Sequence, residues 1–462
     1  MAQAVPKSGL HNPLKNVDRY VKWGEISRRA ATELSKPDVR EYFTQAVLRT
    51  MPKSHAQAQG EVTVAEAFLT NFSGDNVRFM ASDFGVSGDR DGQHSRGFRW
   101  PYGAVAIVSP FNFPLEIPAL QLMGALYMGN KPVIKPASTT SSVVEAFVRL
   151  LIHCGMPPSD VDLIHCGGRV MGELISKAPI RLTQFTGSAG VAEDLARQTA
   201  GKVRIEDAGF DWKILGPDVH ACNVEHAAWQ SDQDCYSASG QKCSAQSILF
   251  MHTNWVKAGF EAKIKALAAR RNVKDLTIGA VLSESTDRML GHMNKLLAIP
   301  GARLAFGGKP LTGHRIPKVY GAIEPTAVFV PLMELVKPEY YRDCTTEIFG
   351  PFQVITEYSD AQVDLVIQAI ERMSHHLSAG VVTNDVGFRH RILANTINGV
   401  TYTGVRARTT GAPQNHWFGP TGDPRGAGVG TAGAIKMVWS SHREIIDDNA
   451  PVPPEWKTPA AT

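Results

Sequence analysis

The stretch from Gly103 to Pro136, GAVAIVSPFNFPLEIPALQLMGALYMGNKPVIKP, decides the fold of this chain. Its apolar segments predict a short buried strand at Val105–Val108, a helix at Pro118–Tyr127 and a second strand at Pro132–Lys135. Two strands joined by a crossover helix pair in parallel, because the helix returns the chain to the same end of the sheet. The stretch therefore predicts the start of a doubly wound parallel α/β domain of the nucleotide-binding type.

The alternation of strands and helices continues towards the C-terminus. Serine and threonine at the start of Ser138–His153 favour a helix N-terminus there. The other predicted elements of the first domain are strands at Val161–His165, Ile180–Phe185 and Lys202–Ile205 and a helix at about Ala189–Ala200. A second α/β region follows, with helices predicted at Ala221–Ser239, Asn254–Ala269 and Ser359–Met373 and strands at Ser247–Met251, near Ala280, Ala302, Ala327 and Gln353, and at Ala379–Val382.

Four segments lie outside this alternation. Residues 13–80 carry apolar side chains at helical spacing and predict mainly helices. The polar segment Asp83–Arg99 predicts a long loop or an excursion from the core, and Gly411–Gly433 predicts another long loop. Ala434–Ser440, which leads into the polar Ser441–Asp448, predicts a final strand or arm.

The composition excludes several classes of protein. With 462 residues, 43% hydrophobic and 20% charged, the chain has the composition of an ordinary globular protein with two or three domains. The formal net charge is +4 and no basic run is dense enough to indicate nucleic acid binding. The most apolar region, residues 103–129, is interrupted by Pro110, Pro114, Glu116 and Pro118, so we expect no membrane span.

The six cysteines show no paired framework, which is typical of a reducing compartment. His153-Cys154 and His165-Cys166 suggest a zinc site, but no CxxC accompanies them and Pro157-Pro158 interrupts any shared helix. We therefore expect no metal. The N-terminus lacks the apolar core of a signal peptide and is poor in arginine before Arg19, so no transit peptide is predicted in this chain.

One cysteine lies in a run that favours reactivity. Ser237–Ser247 reads SASGQKCSAQS, in which small residues leave room for another molecule to approach the Cys243 sulfur and Gly240 permits a turn. Lys242 places a cation where it favours the thiolate, although it is at least as compatible with facing a substrate. Taken alone, the run also fits a buried, inert cysteine.

Six motifs follow the order and spacing found in NAD(P)-dependent aldehyde dehydrogenases, which the chain resembles from about residue 60 to 450. They are Pro110–Pro114 (PFNFP), Lys135-Pro136, Phe185–Ser188 (FTGS), Glu206, Gly240–Cys243 (GQKC) and Glu347–Pro351 (EIFGP). Within this superfamily the chain is most similar to plant-type Δ1-pyrroline-5-carboxylate, or glutamate-semialdehyde, dehydrogenases. The stretches that carry this closer resemblance are Gly240–Ser244, Glu206–Trp212, Arg408–Ala412 and Asn415–Pro420.

The resemblance implies a Rossmann-type doubly wound cofactor domain, an α/β catalytic domain and a small oligomerisation arm. It assigns residues 1–83 and 102–206 to the NAD-binding domain and residues 207–427 to the catalytic domain with the nucleophile. Residues 84–101 and 428–462 become oligomerisation elements. It also implies a homodimer or an assembly of dimers, located in the mitochondrial matrix.

Three residues take catalytic roles by this resemblance. Cys243 would attack the aldehyde carbon to give a thiohemiacetal. The Asn112 amide and the Cys243 N–H would stabilise the oxyanion, and loss of one such donor typically costs about 3 kcal/mol. Glu206 would activate the water that releases the acid. Without the resemblance, Asn112 also fits a turn cap, and Glu206 beside Asp207 fits a solvated pair at a strand end.

NAD is the implied cofactor. Lys135 would contact the adenosine ribose, Gly187-Ser188 would offer backbone donors to the pyrophosphate, and Glu347 would hold the nicotinamide ribose. Ser138 stands where many NAD-preferring relatives carry a glutamate, so NADP stays open on electrostatic grounds. Ala192 replaces a glycine of the phosphate turn, and Asp207-Ala208 replace Leu-Gly after the base. The implied cofactor-binding residues are Ser109, Pro110, Lys135, Gly187, Ser188, Glu347 and Phe349.

The implied substrate carries a carboxylate and an ammonium group at the end away from the aldehyde. Phe113 and Phe418 would flank its aliphatic part, and Lys242 and Ser244 would contact it near the reacting end. The backbone of Thr410-Gly411-Ala412 would bind the carboxylate, although turn geometry also explains this sequence.

The leading hypothesis is NAD-dependent oxidation of L-glutamate 5-semialdehyde to L-glutamate in proline breakdown, through thiohemiacetal formation, hydride transfer and thioester hydrolysis. The alternatives are an aldehyde dehydrogenase for another semialdehyde, a CoA-acylating member, and a non-catalytic binding relative. Glu206 argues against an acylating member, because such members generally lack the base.

Overall fold

The chain begins with helices. A computed structural model describes residues 5–207, 209–411, 413–414 and 416–462, except for the side chains of residues 221 and 222. Its first elements are helices α1 (Asp18–Ser35), α2 (Pro37–Thr50), α3 (His55–Asn71) and α4 (Asn76–Phe79), followed by strands β1 (Ser82–Ser87) and β2 (Gln93–Pro101). The predicted helical start over residues 13–80 is confirmed.

A parallel sheet follows, as Gly103–Pro136 predicts. Its strands are β3 (Ala104–Val108), β4 (Lys131–Lys135), β5 (Asp162–Leu163), β6 (Thr183–Thr186) and β7 (Val203–Glu206), in the order β5-β4-β3-β6-β7. The intervening helices are α5 (Glu116–Tyr127), α6 (Ser141–His153), α7 (Gly168–Lys177) and α8 (Ala189–Gln198). Because successive strands add first on one side of β3 and then on the other, the topological switch point lies between β3 and β6. Ligands of doubly wound sheets bind at the carboxyl ends of the strands at such a point.

The second sheet carries the other half of the molecule. Its strands are β8 (Asp211–Leu215), β9 (Gln246–His252), β10 (Arg303–Phe306), β11 (Thr326–Phe329), β12 (Phe352–Tyr358), β13 (Ser378–Val382) and β14 (Val400–Thr403), in the order β10-β11-β12-β9-β8-β13-β14. Only β10 at one edge is antiparallel to its neighbour within this described sheet. Its helices are α9 (Ala221–Tyr236), α10 (Thr253–Lys257), α11 (Phe260–Ala268), α12 (Thr286–Leu297), α13 (Leu332–Leu335), α14 (Pro338–Cys344), α15 (Val363–Glu371) and α16 (Val386–Ala394).

Two predictions in this region are wrong. The strand expected near Ala280 is reduced to an isolated bridge between Val281 and Gly321. The helix expected at Asn254–Ala269 is divided into α10 and α11, because Gly259 adopts a left-handed conformation with φ +75 that ends one helix before the next begins.

The end of the chain also differs from the prediction. Ala434–Ser440 was expected to be extended, but helix α17 (Ala432–Trp439) covers most of it before strand β15 (Ser440–Asp448). Trp439 packs so closely on α5 that a Cβ at Gly124 would lie 2.9 Å from its ring, so burial of this face favours the helix. The expected loop Asp83–Arg99 is largely the hairpin β1–β2, and β15 adds to β2 in an antiparallel arm.

The architecture is the predicted α/β class with a doubly wound first sheet. Strands of the first sheet lie within residues 102–206, strands of the second within 207–427, and the arm combines residues 82–101 with 440–448. Ile435, Val438 and Trp439 belong to the core around α5, and strand β15 of the arm begins at Ser440. The domain boundaries themselves remain a prediction. No described helix has the length and apolarity that a membrane span requires.

Candidate active site

The turn that presents Cys243 follows α9 directly. Ala238, Ser239 and Gly240 all have positive φ angles, 53, 56 and 70, and reverse the chain before β9. At Gly240 a Cβ would lie 2.0 Å from the carbonyl oxygen of Gly350. A glycine is therefore required there, both for the backbone conformation and for the close approach of the segment that follows Glu347.

Gln241 fixes the turn to its surroundings. Its Oε1 accepts a hydrogen bond from the Leu282 N–H at 2.7 Å, and its Nε2 donates to the Ala280 carbonyl at 2.9 Å. Its own carbonyl accepts from the Asn112 Nδ2 at 3.1 Å. This last bond points the Asn112 amide towards the nucleophile turn, as the oxyanion role requires, and leaves its second N–H available.

Glu206 meets Cys243 from the end of β7. The Glu206 carboxyl lies beside the Cys243 thiol and near the Thr186 hydroxyl, and Thr186 accepts a hydrogen bond from Gln121 Nε2 at 2.8 Å. Glu206 is 4% exposed, and burial raises its pKa to about 7. A carboxyl with that pKa changes protonation near neutrality, which suits a general base.

The thiol of Cys243 is neutral at rest. Burial and the neighbouring Glu206 raise the pKa of the thiol well above its usual value. The prediction that Lys242 favours the thiolate is therefore wrong. The buried side chain of Lys242, whose pKa burial lowers to about 8, lines a cavity beside Cys243.

A buried ion pair holds the Asn112 segment. The Lys53 ammonium lies 2.5 Å from Glu61 Oε1 and donates to the Asn112 carbonyl at 2.7 Å, and both charged side chains are fully buried. Glu61 Oε2 accepts from the Leu115 N–H at 3.1 Å and the Glu116 N–H at 3.3 Å. The pair thus fixes the loop between β3 and α5 on both sides of Asn112.

Gly209 joins the base segment to Cys243 and Glu347. A Cβ at Gly209 would lie 1.9 Å from the Cys243 carbonyl oxygen, so a larger residue would displace the nucleophile. The Gly209 backbone lies near the Glu347 carboxyl, and burial raises the pKa of this carboxyl to about 8. This explains why the last glycine of the motif is kept although Asp207 departs from it; Ala208 lies outside the described residues.

The predicted cofactor residues lie around the carboxyl ends of the first sheet. Ser109 and Pro110 follow β3 at the switch point, Lys135 ends β4, and Gly187-Ser188 lead into α8. The Ser109 hydroxyl is buried without a hydrogen-bond partner among the described residues, and the first N–H groups of α8 are free for an anion. These features fit a bound dinucleotide.

Phe349 completes this side of the site. Its φ of 50 is costly for a residue with a side chain, and its ring stands edge-on to Phe111 with centroids 6.0 Å apart. Glu347 and Phe349 therefore flank the entry to Cys243 from the second half of the molecule, opposite the switch point. Whether these residues bind the cofactor as predicted stays a proposal.

Several predicted substrate residues share a cavity of about 220 Å³ with Cys243. Its lining includes Phe113, Lys242, Ser244, Thr410, Gly411 and Phe418. The remaining predicted residue, Ala412, lies outside the described residues. The structure thus brings the predicted substrate residues that it describes together at the nucleophile.

Hydrogen bonds to the buried Asp234 hold the loop that contains Thr410 and Gly411. Asp234 accepts from the Thr409 N–H at 2.9 Å and from the Thr410 hydroxyl at 2.7 Å, and it pairs with the fully buried Lys213 at 2.6 Å. Because its hydroxyl is used in this way, Thr410 offers the substrate its backbone rather than its side chain. At Gly411 a Cβ would lie 1.7 Å from the Tyr402 hydroxyl, which explains the glycine.

Sequence reasoning missed the residues that support the site. Lys53, Glu61 and Asp234 carry no local motif, and a charged residue usually faces solvent. Glu116 and Gln121 gave a usable signal, because they are polar residues in an otherwise apolar helix that is buried throughout. No group of three potential metal ligands occurs among the described residues.

Comparisons with known proteins agree with this geometry. The sequence model described as "Aldehyde dehydrogenase family" matches residues 21–434. The chain is 57% identical to the mitochondrial Δ1-pyrroline-5-carboxylate dehydrogenase 12A1 of Arabidopsis thaliana, over 99% of this chain and 82% of that protein. It is also 57% identical to a probable aldehyde dehydrogenase of Linum usitatissimum, over 99% and 83%. The structure of betaine aldehyde dehydrogenase from Staphylococcus aureus, in complex with NAD+, superposes with a TM-score of 0.81 at 19% identity, covering 98% of this chain and 88% of that one.

Proposed function

This chain belongs to the aldehyde dehydrogenase family, and we propose that it oxidises L-glutamate 5-semialdehyde, formed from Δ1-pyrroline-5-carboxylate, to L-glutamate with NAD. The observation that carries the reaction type is the position of the buried Glu206 carboxyl beside the Cys243 thiol, at a cavity lined by the proposed substrate residues. The plant relative of that name supports the substrate.

The first step is attack of the Cys243 sulfur on the aldehyde carbon. The thiol proton passes to the neighbouring carboxylate of Glu206. The aldehyde oxygen becomes an oxyanion, and two donors can reach it: the second N–H of the Asn112 amide and the Cys243 N–H, which makes no other hydrogen bond among the described residues.

Oxidation then leaves a thioester on Cys243. When bound, NAD accepts the hydride that the thiohemiacetal expels. Of this chain's residues, Glu347 is placed to bind a ribose hydroxyl and Phe349 to limit the position of the nicotinamide ring. Collapse of the oxyanion releases Asn112 for the next oxyanion, which forms during hydrolysis.

Glu206 completes the cycle as the base for hydrolysis. Before hydrolysis Glu206 releases the thiol proton to solvent. Its ionised form then takes a proton from a water molecule that attacks the thioester carbon, and this proton passes to the sulfur when the C–S bond breaks. This residue favours a hydrolytic enzyme over a CoA-acylating one. NAD rather than NADP is the proposed cofactor, by family resemblance. The exposed, uncharged Ser138 does not itself decide between them, because it repels neither NAD nor the 2′-phosphate of NADP.

The substrate proposal is tested by steady-state NADH formation. With NAD, kcat/KM for Δ1-pyrroline-5-carboxylate should exceed the values for succinate semialdehyde and propanal, and NADP should support a lower rate. Equal rates with the three aldehydes would refute the substrate. Cys243→Ala should abolish turnover while NAD still binds, which separates the chemistry from folding.

Location and assembly are part of the proposal. The mitochondrial relative in Arabidopsis supports the mitochondrial matrix, where proline is broken down. The arm of β1, β2 and β15 supports a homodimer or an assembly of dimers, because the outer edges of β1 and β15 pair with no other strand in the described chain.

A further inference from the structure

Glu116 is a buried acid that the mechanism does not use. It is the first residue of α5, it is 7% exposed, and it lines the cavity that contains Cys243. Among the described residues, no donor lies within hydrogen-bond distance of its carboxyl oxygens. Native proteins rarely leave a buried carboxyl without a partner, so this one calls for a ligand.

The other acid of the cavity wall is already satisfied. Glu61 is held by Lys53 and by two backbone N–H groups, so it has no capacity left for a ligand. The charged groups that face Glu116 are Glu61, Lys53, Lys242 and Glu206. Burial, with the nearby Glu61 as the next cause, raises the pKa of Glu116 to about 8. A cation entering the cavity would favour its ionised form.

The cavity also carries an unpaired cation. Lys242 is 8% exposed, lines the same cavity, and forms no salt bridge with Glu116 or another carboxylate among the described residues. One acid and one base that do not neutralise each other provide separate positions for the two charges of a zwitterion. A substrate with a carboxylate alone would leave Glu116 unpaired.

We propose that Glu116 binds the α-ammonium group of the substrate and so selects amino-acid semialdehydes over semialdehydes that carry only a carboxylate. This inference rests on the proposed function and names the residue that distinguishes glutamate semialdehyde from its deaminated analogue. The carboxylate would bind between Lys242 and the backbone of Thr410-Gly411, which line the same cavity.

Holding the amine as ammonium has a chemical consequence. A free amine in this substrate attacks its own aldehyde carbon and loses water, which gives the cyclic imine. An ammonium group has no lone pair for that attack. By pairing with the protonated form, Glu116 keeps the chain open and the aldehyde available to Cys243.

The test compares L-glutamate, the proposed product, with glutarate, which differs from it only by lacking the amino group. L-glutamate and glutarate are used as inhibitors of NADH formation by the NAD-loaded enzyme, with wild type, Glu116→Gln and Glu116→Asp. Wild type should bind L-glutamate more tightly than glutarate, and Glu116→Gln should reduce this preference by about 10- to 100-fold. Glu116→Asp keeps the charge and should retain part of the preference.

Each other outcome overturns the inference. If Glu116→Gln weakens both inhibitors equally, Glu116 only supports α5. If it changes neither while wild type still prefers L-glutamate, another group binds the ammonium. If wild type does not distinguish the two inhibitors, the inference fails, and the comparison of aldehyde substrates then decides independently whether the proposed function stands. If Glu116→Gln does not fold, Glu116→Asp and Glu116→Ala are compared instead. If both keep the full wild-type preference for L-glutamate over glutarate, Glu116 does not bind the ammonium group and the inference fails.

Discussion

At the scale of single residues, the contact with the largest chemical consequence joins Glu206 to Cys243. Both groups have raised pKa values because they are buried, so the resting enzyme holds a neutral thiol beside the base that will receive its proton. A thiol kept neutral is protected from oxidation until a substrate arrives. Lys242, the cation next to it in sequence, instead faces the cavity.

The pKa of about 7 at Glu206 predicts how hydrolysis depends on pH. Only the ionised carboxylate can accept the proton of water, so the rate of thioester hydrolysis should rise about tenfold per pH unit below pH 7 and level off above it. The decay of acyl-enzyme, formed in a rapid mixing experiment and followed between pH 5.5 and 8.5, measures this. A rate independent of pH would show that Glu206 is not the base.

Residues with a motif could be predicted, and residues without one could not. Cys243, Asn112 and Glu206 lie in family-specific sequence, so their places in the chain are readable before the structure. The pairs Lys53–Glu61 and Lys213–Asp234 are invisible in sequence, because a charged residue without a motif looks the same whether the tertiary fold exposes it or buries it.

At the scale of elements, the loop between β3 and α5 is the most constrained part of the site. It carries Asn112 and Phe113, and the fully buried Lys53 binds both, through the Asn112 carbonyl at 2.7 Å and by lying 4.2 Å from the centre of the Phe113 ring. Through the pair Lys53–Glu61, helix α3 and the segment before it therefore set the position of an oxyanion donor.

This predicts the effect of Lys53→Met. The substitution leaves Glu61 buried without its partner and should lower the free energy of unfolding by about 3–5 kcal/mol, measured in urea. Because Asn112 loses its support, kcat should also fall, by about 100-fold. The double variant Lys53→Met/Glu61→Gln should recover part of the stability but not the rate.

A matched control is available on α1. Glu25 pairs with Arg28 and Arg29 on the surface, so Glu25→Gln should leave both the unfolding midpoint and kcat almost unchanged. If Lys53→Met behaved like this control, the buried pair would not support the site.

Whether a segment forms a helix or a strand was predictable where the spacing of its apolar residues followed one period. The strand, helix and strand of Gly103–Pro136 and strand β9 of the second sheet follow from apolar runs, whereas β8 was not predicted. Ala432–Trp439 is apolar nearly throughout, so periodicity could not separate a strand from a buried helix, and its packing on α5 decides the matter. The hairpin β1–β2 is exposed and polar, which hides the alternation that marks a strand.

At the scale of the whole molecule, the arm is the part that the single chain leaves incomplete. Val86 on β1 is 53% exposed and Ile446 on β15 is 59% exposed, on the two edge strands of the arm. Apolar residues on unpaired edges favour addition of a second copy.

The double substitution Val86→Asp/Ile446→Asp should therefore shift the protein towards monomers, as measured by light scattering during gel filtration. Val319→Asp changes a valine that is 73% exposed outside the arm and should leave the mass unchanged. A mass that the double variant retains in full would mean that other surfaces assemble the protein.

The central claim is that Cys243 forms the covalent intermediate and Glu206 hydrolyses it during oxidation of glutamate semialdehyde. The most direct measurement is the intact mass of Glu206→Gln after rapid mixing with NAD and Δ1-pyrroline-5-carboxylate. The account predicts that NADH equal to the enzyme present forms more slowly than in the wild type, because the thiol has lost its proton acceptor, and then stops, with an added glutamyl group that peptide mapping places on Cys243. A linear time course at the wild-type rate, with unmodified Cys243, would contradict it.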